Sequence, residues 1–283
     1  MTELTQQQQT LVGELVARVR DVPGVAAVAL GGSYARGTAK AGSDIDLGLY
    51  YHEARPFAIE AIRAIANAVN DTSDPVVAGF GGWGPWVNGG AWLTIGGQRV
   101  DFLYRSLERL DVTIEACARG EFQTDYEQQP ATGFFSFIYL GELAICRPLH
   151  DPAGALAGLK ARVWPYPPAL RAAVLKRFGF HAGFALGHLD KAAANGDVYM
   201  AVGCLYRALS ALVQMLYALN GRYFISDKGA ITECAAFERV PADFGARVTG
   251  LLATSGATSA ALAESAGQAR ALYNEVQRLA GAA

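Results

Sequence analysis

Apolar residues in the first half of the chain follow two spacings, one typical of helices and one of strands. Residues 5–20 repeat apolar side chains every three or four positions, which predicts an amphipathic helix. Valine- and leucine-rich runs at 25–30 and 44–51 predict strands. Gly96 and Gly97 separate two further apolar runs, which indicates a β-hairpin. Helices are also predicted at 56–69 and 107–118, and a short strand at 76–80.

Pro148 indicates a break in regular structure, and the pattern changes at a proline-rich tract, 164–168. After it, apolar residues keep helical spacing over long stretches, and no strand pattern follows. We place a domain boundary near residue 150. The predicted class is α+β, with a mixed β-sheet flanked by helices over 1–150 and an all-α helical bundle over 151–283. The bundle helices are predicted at 169–195, 198–219, 241–252 and 260–279.

Composition narrows the classes of function. Of 283 residues, 52% are hydrophobic and 18% charged, which excludes a mainly disordered chain. The 24 basic and 26 acidic side chains give a net charge of −2, which argues against a general polyanion binder. The four cysteines form no C-x-x-C pair, so we expect reduced, buried thiols and no zinc knuckle. With neither a signal-like start nor an uninterrupted apolar span, we expect a cytoplasmic protein without membrane contact.

The segment 30–47 carries the most chemistry. The predicted strand 25–30 runs into Gly31 and Gly32, where the missing Cβ lets the backbone approach a ligand closely. The Ser33 hydroxyl and the Arg36 guanidinium follow at once and suit phosphate oxygens. This stretch therefore predicts a phosphate-binding turn.

Three aspartates complete the candidate catalytic site. Asp44 and Asp46 lie two apart on a predicted strand, so their carboxylates share one face. Asp101 is a lone acid in an apolar strand, and the three carboxylates converge if its strand neighbours theirs. Such a cluster suits two Mg²⁺ ions and nucleotidyl transfer from ATP or another nucleoside triphosphate.

These motifs resemble the nucleotidyltransferase superfamily of DNA polymerase β. The pairing of G-G-S-Y-A-R-G with S-D-I-D-L is similar to its minimal bacterial branch, which includes antibiotic nucleotidyltransferases and nucleotidyltransferase partners of toxin–antitoxin pairs. The resemblance implies transfer of NMP, with AMP from ATP favoured, to an acceptor hydroxyl and release of pyrophosphate. It implies metal-binding roles for Asp44, Asp46 and Asp101, and triphosphate-binding roles for Gly32, Ser33, Arg36 and, more weakly, Ser43.

The second half resembles, less closely, the helical domain of kanamycin nucleotidyltransferase-like enzymes, through residues 218–228. A lysine of that domain commonly reaches the phosphates, and Lys228 is its candidate here. The chain departs from the family at 175–183, which lacks the glutamate that serves there as general base. The alternative general bases are His181, Glu142 and Asp101, of which Asp101 would act as metal ligand and base at once. For His181 and Glu142 a purely structural role is the competing interpretation.

The acceptor is left open. A small molecule such as an aminoglycoside is favoured, and tRNA or a protein side chain is the alternative; an acidic cleft would indicate the first and a basic cleft RNA. A non-catalytic nucleotide-binding regulator is a third hypothesis, and a homodimer is included among the predicted partners. Trp83, Trp86 and Trp92 are candidate walls of an acceptor pocket, with core packing as the competing interpretation.

Overall fold

A computed structural model describes residues 3–281, which form two compact units. The first unit contains most of the chain up to Trp164. The second begins at Pro165 and also includes the segments Ala116–Tyr126 and Pro130–Gly133. The change of unit thus falls within the proline-rich tract.

The first unit is built on a six-stranded mixed sheet with the spatial order β3-β4-β5-β2-β1-β8. β2 and β5 are parallel, and the other neighbouring pairs are antiparallel. The strands of the chain are β1 Ala27–Leu30, β2 Ile45–Tyr51, β3 Val76–Val77, β4 Gly90–Ile95, β5 Gln98–Ser106, β6 Thr124–Asp125, β7 Phe134–Phe135 and β8 Arg147–His150.

Helices cover the sheet and make up most of the second unit, so the predicted α+β class with a helical second part is confirmed. They are α1 Gln6–Val19, α2 Gly32–Arg36, α3 Ile59–Val69, α4 Gly84–Val87, α5 Leu107–Ala118, α6 Ile138–Ile145, α7 Ala155–Ala161, α8 Pro168–Asn195, α9 Val198–Leu219, α10 Ala230–Ala235, α11 Phe244–Ala253 and α12 Ser259–Gly281.

The central strand β2 separates the core from the face that carries polar groups. Ile45, Leu47 and Leu49 are fully buried, while Asp46 between them is only half-buried. This alternation follows the period of two along a strand. The core side chains pack with buried residues of α1 and α3. On the opposite face, Tyr50 and Arg105 are also buried, so only the part near Asp46 and Asp101 is more open.

Two strands differ from the sequence prediction. β3 has two residues instead of the predicted 76–80. Pro148, interpreted from the sequence as a chain break, lies inside β8 at the edge of the sheet. An edge strand tolerates proline, and the pairing of β8 with β1 is irregular between Val28 and Ala29. Because β8 joins the sheet, the first unit continues past residue 150.

The second unit packs α8, α9 and α12 against one another. α9 is the one described helix long and apolar enough to cross a membrane, but 67% of its most apolar window is buried inside the protein. This burial fits the core helix that the sequence predicts at 198–219. All four cysteines are free; Cys117, Cys146 and Cys234 are buried and Cys204 is partly exposed.

Candidate active site

One face of the sheet carries a row of functional side chains across three strands. The parallel register of β2 and β5 places Asp46 opposite Asp101. On the other side of β5, Trp92 of β4 is paired with Asp101. Directly paired residues project to the same face, so Trp92, Asp101 and Asp46 lie side by side. The predicted adjacency of the two acid-bearing strands is therefore confirmed.

Asp44, immediately before β2, faces a cation instead of the other two acids. Its Oδ1 lies 2.5 Å from Nε of Arg99. The same oxygen is buried and makes no hydrogen bond, so the contact is a close ion pair without hydrogen-bond geometry. Among residues 3–281, no three His, Cys, Asp or Glu side chains form a metal-binding group. Asp46 and Asp101 are therefore paired and Asp44 is held by Arg99, and a metal site shared by all three acids stays a prediction.

The glycine turn is fitted closely to Asp46. The Gly31 N–H donates to the backbone oxygen of Asp46 at 2.8 Å. Gly32, the first residue of α2, has a φ of +56°, and a Cβ there would lie 1.7 Å from Oδ2 of Asp46. Position 32 therefore requires glycine because any side chain would overlap the Asp46 carboxylate. This reason adds to the one expected from the sequence, which was close approach of a phosphate.

Gly32→Ala should reduce nucleotidyl transfer at least about 100-fold, because even a methyl group must displace the Asp46 carboxylate by an ångström or so. The assay is Mg²⁺-dependent release of pyrophosphate. Gly42→Ala is the matched control: Gly42 also has a positive φ, +81°, but a Cβ there meets no atom within 4 Å. Equal losses in both variants would show that backbone strain, and not the overlap with Asp46, is the cause.

The remaining predicted phosphate ligands surround this turn. Ser33 and Arg36 are half-buried residues of the short helix α2. Ser43 closes the loop before Asp44: its hydroxyl oxygen accepts from the Lys40 N–H at 2.8 Å. Ser43 therefore has a structural contact, and a contact between Ser43 and a nucleotide stays a prediction.

A cavity of about 410 Å³ is lined by Asp44 and Asp101, whereas Asp46 is not among its lining residues. Trp92, 54% exposed, forms one wall and is stacked on Trp83 at 4.7 Å. Trp86 instead stacks on Phe134, in agreement with the competing interpretation of core packing. The other residues that line the cavity are Asn70, Thr72, Asp74, Pro75, Val76, Leu93, Thr94 and Arg99.

The family described as "Nucleotidyltransferase domain" matches residues 12–77. This segment contains the glycine turn, Asp44 and Asp46, and it ends before Asp101. The chain carries an N-terminal nucleotidyltransferase domain. Among solved structures, the chain is similar to a nucleotidyltransferase-like protein from Exiguobacterium sibiricum 255-15, with 11% identity, a TM-score of 0.45, and coverage of 95% of this chain and 74% of that chain. No curated protein matches the chain.

Glu142, one of the predicted bases, lies in the same unit as the nucleotidyltransferase domain and is committed to Arg105. The Arg105 guanidinium donates to both carboxylate oxygens, at 2.7 and 2.9 Å, and to the carbonyls of Val87 and Tyr104. Arg105 is 5% exposed. Burial alone would lower the pKa of Arg105, but the Glu142 carboxylate raises it. This pairing argues against Glu142 as a base and favours the salt-bridged structural role.

The candidates His181 and Lys228 belong to the second unit. His181 lies on α8, and burial, with Arg207 and Arg177 nearby, lowers its pKa. Its imidazole is therefore neutral near pH 7 and able to accept a proton. Lys228 is exposed in the loop before α10, and its backbone N–H donates to Oγ of Ser226 at 3.2 Å. Roles for both residues beside the nucleotidyltransferase domain stay predictions.

Proposed function

We propose that the protein is a Mg²⁺-dependent nucleotidyltransferase that moves NMP, AMP from ATP in the first place, to an acceptor hydroxyl and releases pyrophosphate. The observation that supports this most is the pairing of Asp46 with Asp101 beside the glycine turn. Two carboxylates on one face, next to a glycine turn followed by Ser33 and Arg36, are what a hard divalent ion and a triphosphate require.

The side chains fit Mg²⁺ in their chemistry. Asp46 and Asp101 supply oxygen donors only, as Mg²⁺ prefers. Asp44 has a buried oxygen with no hydrogen bond, held beside the Arg99 guanidinium, and that oxygen becomes a ligand if Arg99 withdraws. When bound, the metal neutralises phosphate charge and stabilises the leaving pyrophosphate.

The chain's own residues would divide the remaining work. Ser33 and Arg36 hold triphosphate oxygens by charge-assisted hydrogen bonds. Asp101 accepts the proton of the acceptor hydroxyl, whose oxygen bonds to the α-phosphorus as the bond from that phosphorus to the pyrophosphate oxygen breaks. His181 is the alternative proton acceptor, and Lys228 is a candidate cation for the departing pyrophosphate.

The cavity favours a small cationic acceptor over RNA. The residues that line the cavity include three acids, Asp44, Asp74 and Asp101, and one base, Arg99. The excess of negative charge attracts an amine-bearing molecule and repels a phosphate backbone. Trp92 offers a flat apolar wall for a sugar ring. An aminoglycoside-like acceptor therefore has more support than tRNA or a protein side chain.

The proposal is tested by incubating the protein with each α-labelled nucleoside triphosphate, with Mg²⁺ or with EDTA. The acceptor panel consists of aminoglycosides, tRNA and mixed proteins. We expect Mg²⁺-dependent label on a small acceptor and stoichiometric pyrophosphate. Label on tRNA or protein would overturn the proposed small-molecule acceptor and leave the proposed nucleotidyl transfer in place. Nucleotide binding without any transfer would overturn the enzyme in favour of a regulator.

Ser33→Ala should weaken nucleotide binding about 5- to 30-fold, which corresponds to the ~1–2 kcal/mol of one charge-assisted hydrogen bond. Calorimetric titration with a non-hydrolysable ATP analogue measures it. Thr10→Ala is the control, because the Thr10 hydroxyl is exposed on α1 and already donates to the Gln6 carbonyl. The same affinity for Ser33→Ala as for wild type would place the triphosphate elsewhere.

Arg99→Gln should tighten Mg²⁺ binding up to about fivefold, because it frees Asp44 from an ion pair of up to ~1 kcal/mol. Titration of the nucleotide-loaded protein with Mn²⁺, followed by electron paramagnetic resonance, gives the affinity without recourse to activity. Arg119→Gln, which removes an exposed arginine paired with Glu121, should leave it unchanged. Weaker metal binding in Arg99→Gln would contradict the role given to Asp44.

A further inference from the structure

Helices α8 and α9 of the second unit present an exposed aromatic surface. Phe180 and Phe184 on α8 are 68% and 55% exposed and stack on each other at 5.9 Å. Tyr199 on α9 is 93% exposed. We call this surface the α8–α9 face and define it by Phe180, Phe184, Tyr199, Met200, Val202 and Tyr206, all exposed.

A groove of about 750 Å³ runs along this face. Gly203 and Ala185 are among its lining residues, and Phe184 and Tyr199 stand beside them. An added Cβ at Gly203 would meet nothing within 4 Å, so the space above this point of α9 is open. The face therefore contains both a projecting side chain, Tyr199, and a recess centred on a glycine.

The size of the face argues for a protein partner. Aromatic side chains present about 150–250 Å² each, so these exposed fractions leave roughly 500–700 Å² of largely apolar surface. A typical monomer exposes a largest apolar patch of about 300–600 Å². A stable interface buries about 800 Å² on each partner. The α8–α9 face thus lies close to one half of a standard interface.

We infer that a second copy of this chain covers the α8–α9 face, with the two α9 helices antiparallel about a twofold axis at Gly203. A twofold interface needs projection and recess on the same surface, as found here. With the axis at Gly203, residues equidistant from it meet. Tyr199 and Arg207 are each four positions away, so the Tyr199 ring of one copy lies at Arg207 of the partner subunit. A tyrosine ring and a guanidinium are a favourable cation–π pair.

Charge supports this pairing. The residues that line the groove include Arg207 and His188 and no carboxylate. In the antiparallel arrangement each Arg207 meets the aromatic ring of the partner's Tyr199 instead of a like charge. Glycine at the axis allows the two helix backbones to approach closely.

The test is sedimentation velocity of the full chain and its variants. Wild type should be a dimer at micromolar concentration. Tyr199→Lys sets a lysine against Arg207 and should raise the dimer dissociation constant at least about 30-fold, the scale of one interface hot spot. Tyr126→Lys, at a tyrosine 62% exposed in the same unit but off this face, should remain dimeric.

Adding Arg207→Glu to Tyr199→Lys should restore the dimer, because lysine then meets glutamate across the axis. Circular dichroism confirms that each variant is folded. Wild type that stays monomeric up to about 100 µM would overturn the inference, and so would a dimer unaffected by Tyr199→Lys. Failure of the charge swap, with Tyr199→Lys monomeric and folded, would overturn the axis at Gly203.

Discussion

Asp46→Asn should reduce nucleotidyl transfer by about 10³-fold or more, because losing a ligand charge removes ~4 kcal/mol or more of metal-based stabilisation of the transition state. Asparagine keeps the shape of the side chain and leaves the backbone bond from Gly31 in place. The variant also relieves the repulsion between two like charges, on Asp46 and Asp101, that are directly paired across β2 and β5.

The measurement combines pyrophosphate release with a thermal melt. Asp101→Asn should behave in the same way, because the two acids share one site. Asp21→Asn is the control, since Asp21 is an exposed acid after α1 and does not line the cavity. Transfer within tenfold of wild type in Asp46→Asn would rule out this metal site.

Glu142→Ala should lower the free energy of unfolding by about 3–5 kcal/mol, the typical cost of breaking a buried ion pair. The variant leaves the Arg105 guanidinium buried and without its two carboxylate acceptors. Urea denaturation measures the change. If Glu142 were the proton acceptor, Glu142→Ala would instead keep its stability and lose nucleotidyl transfer.

The double variant Arg105→Met with Glu142→Leu separates the two interpretations. Replacing a buried pair by apolar residues of similar size is often neutral or stabilising. We therefore expect most of the lost stability to return, together with transfer. A stable double variant without nucleotidyl transfer would contradict the structural role and support Glu142 as the general base.

The sequence predicts much of the nucleotidyltransferase domain because its signals are local. The apolar run of β2 and the Gly96-Gly97 turn between β4 and β5 each specify an element, and the structure confirms them. The period of two along β2 places Asp46 away from the core.

Other features depend on register, which local patterns do not specify. Arg99 is ion-paired with Asp44 because β2 and β5 run parallel with Ile45 opposite Val100. Arg99 and Asp101 lie two residues apart, as Asp44 and Asp46 do. This spacing predicts the Asp44–Arg99 ion pair only when the register of β2 and β5 is known. Pro148 misled for a related reason, since a proline that breaks an inner strand is tolerated at the edge that β8 occupies.

The most direct measurement is a crystal structure with a non-hydrolysable ATP analogue and Mn²⁺ in place of Mg²⁺. The proposed function predicts an anomalous peak about 2.1 Å from carboxylate oxygens of Asp46 and Asp101. It also predicts the triphosphate against Ser33 and Asp44 released from Arg99. An analogue bound with no metal at Asp46 and Asp101, or bound away from the glycine turn, would contradict it.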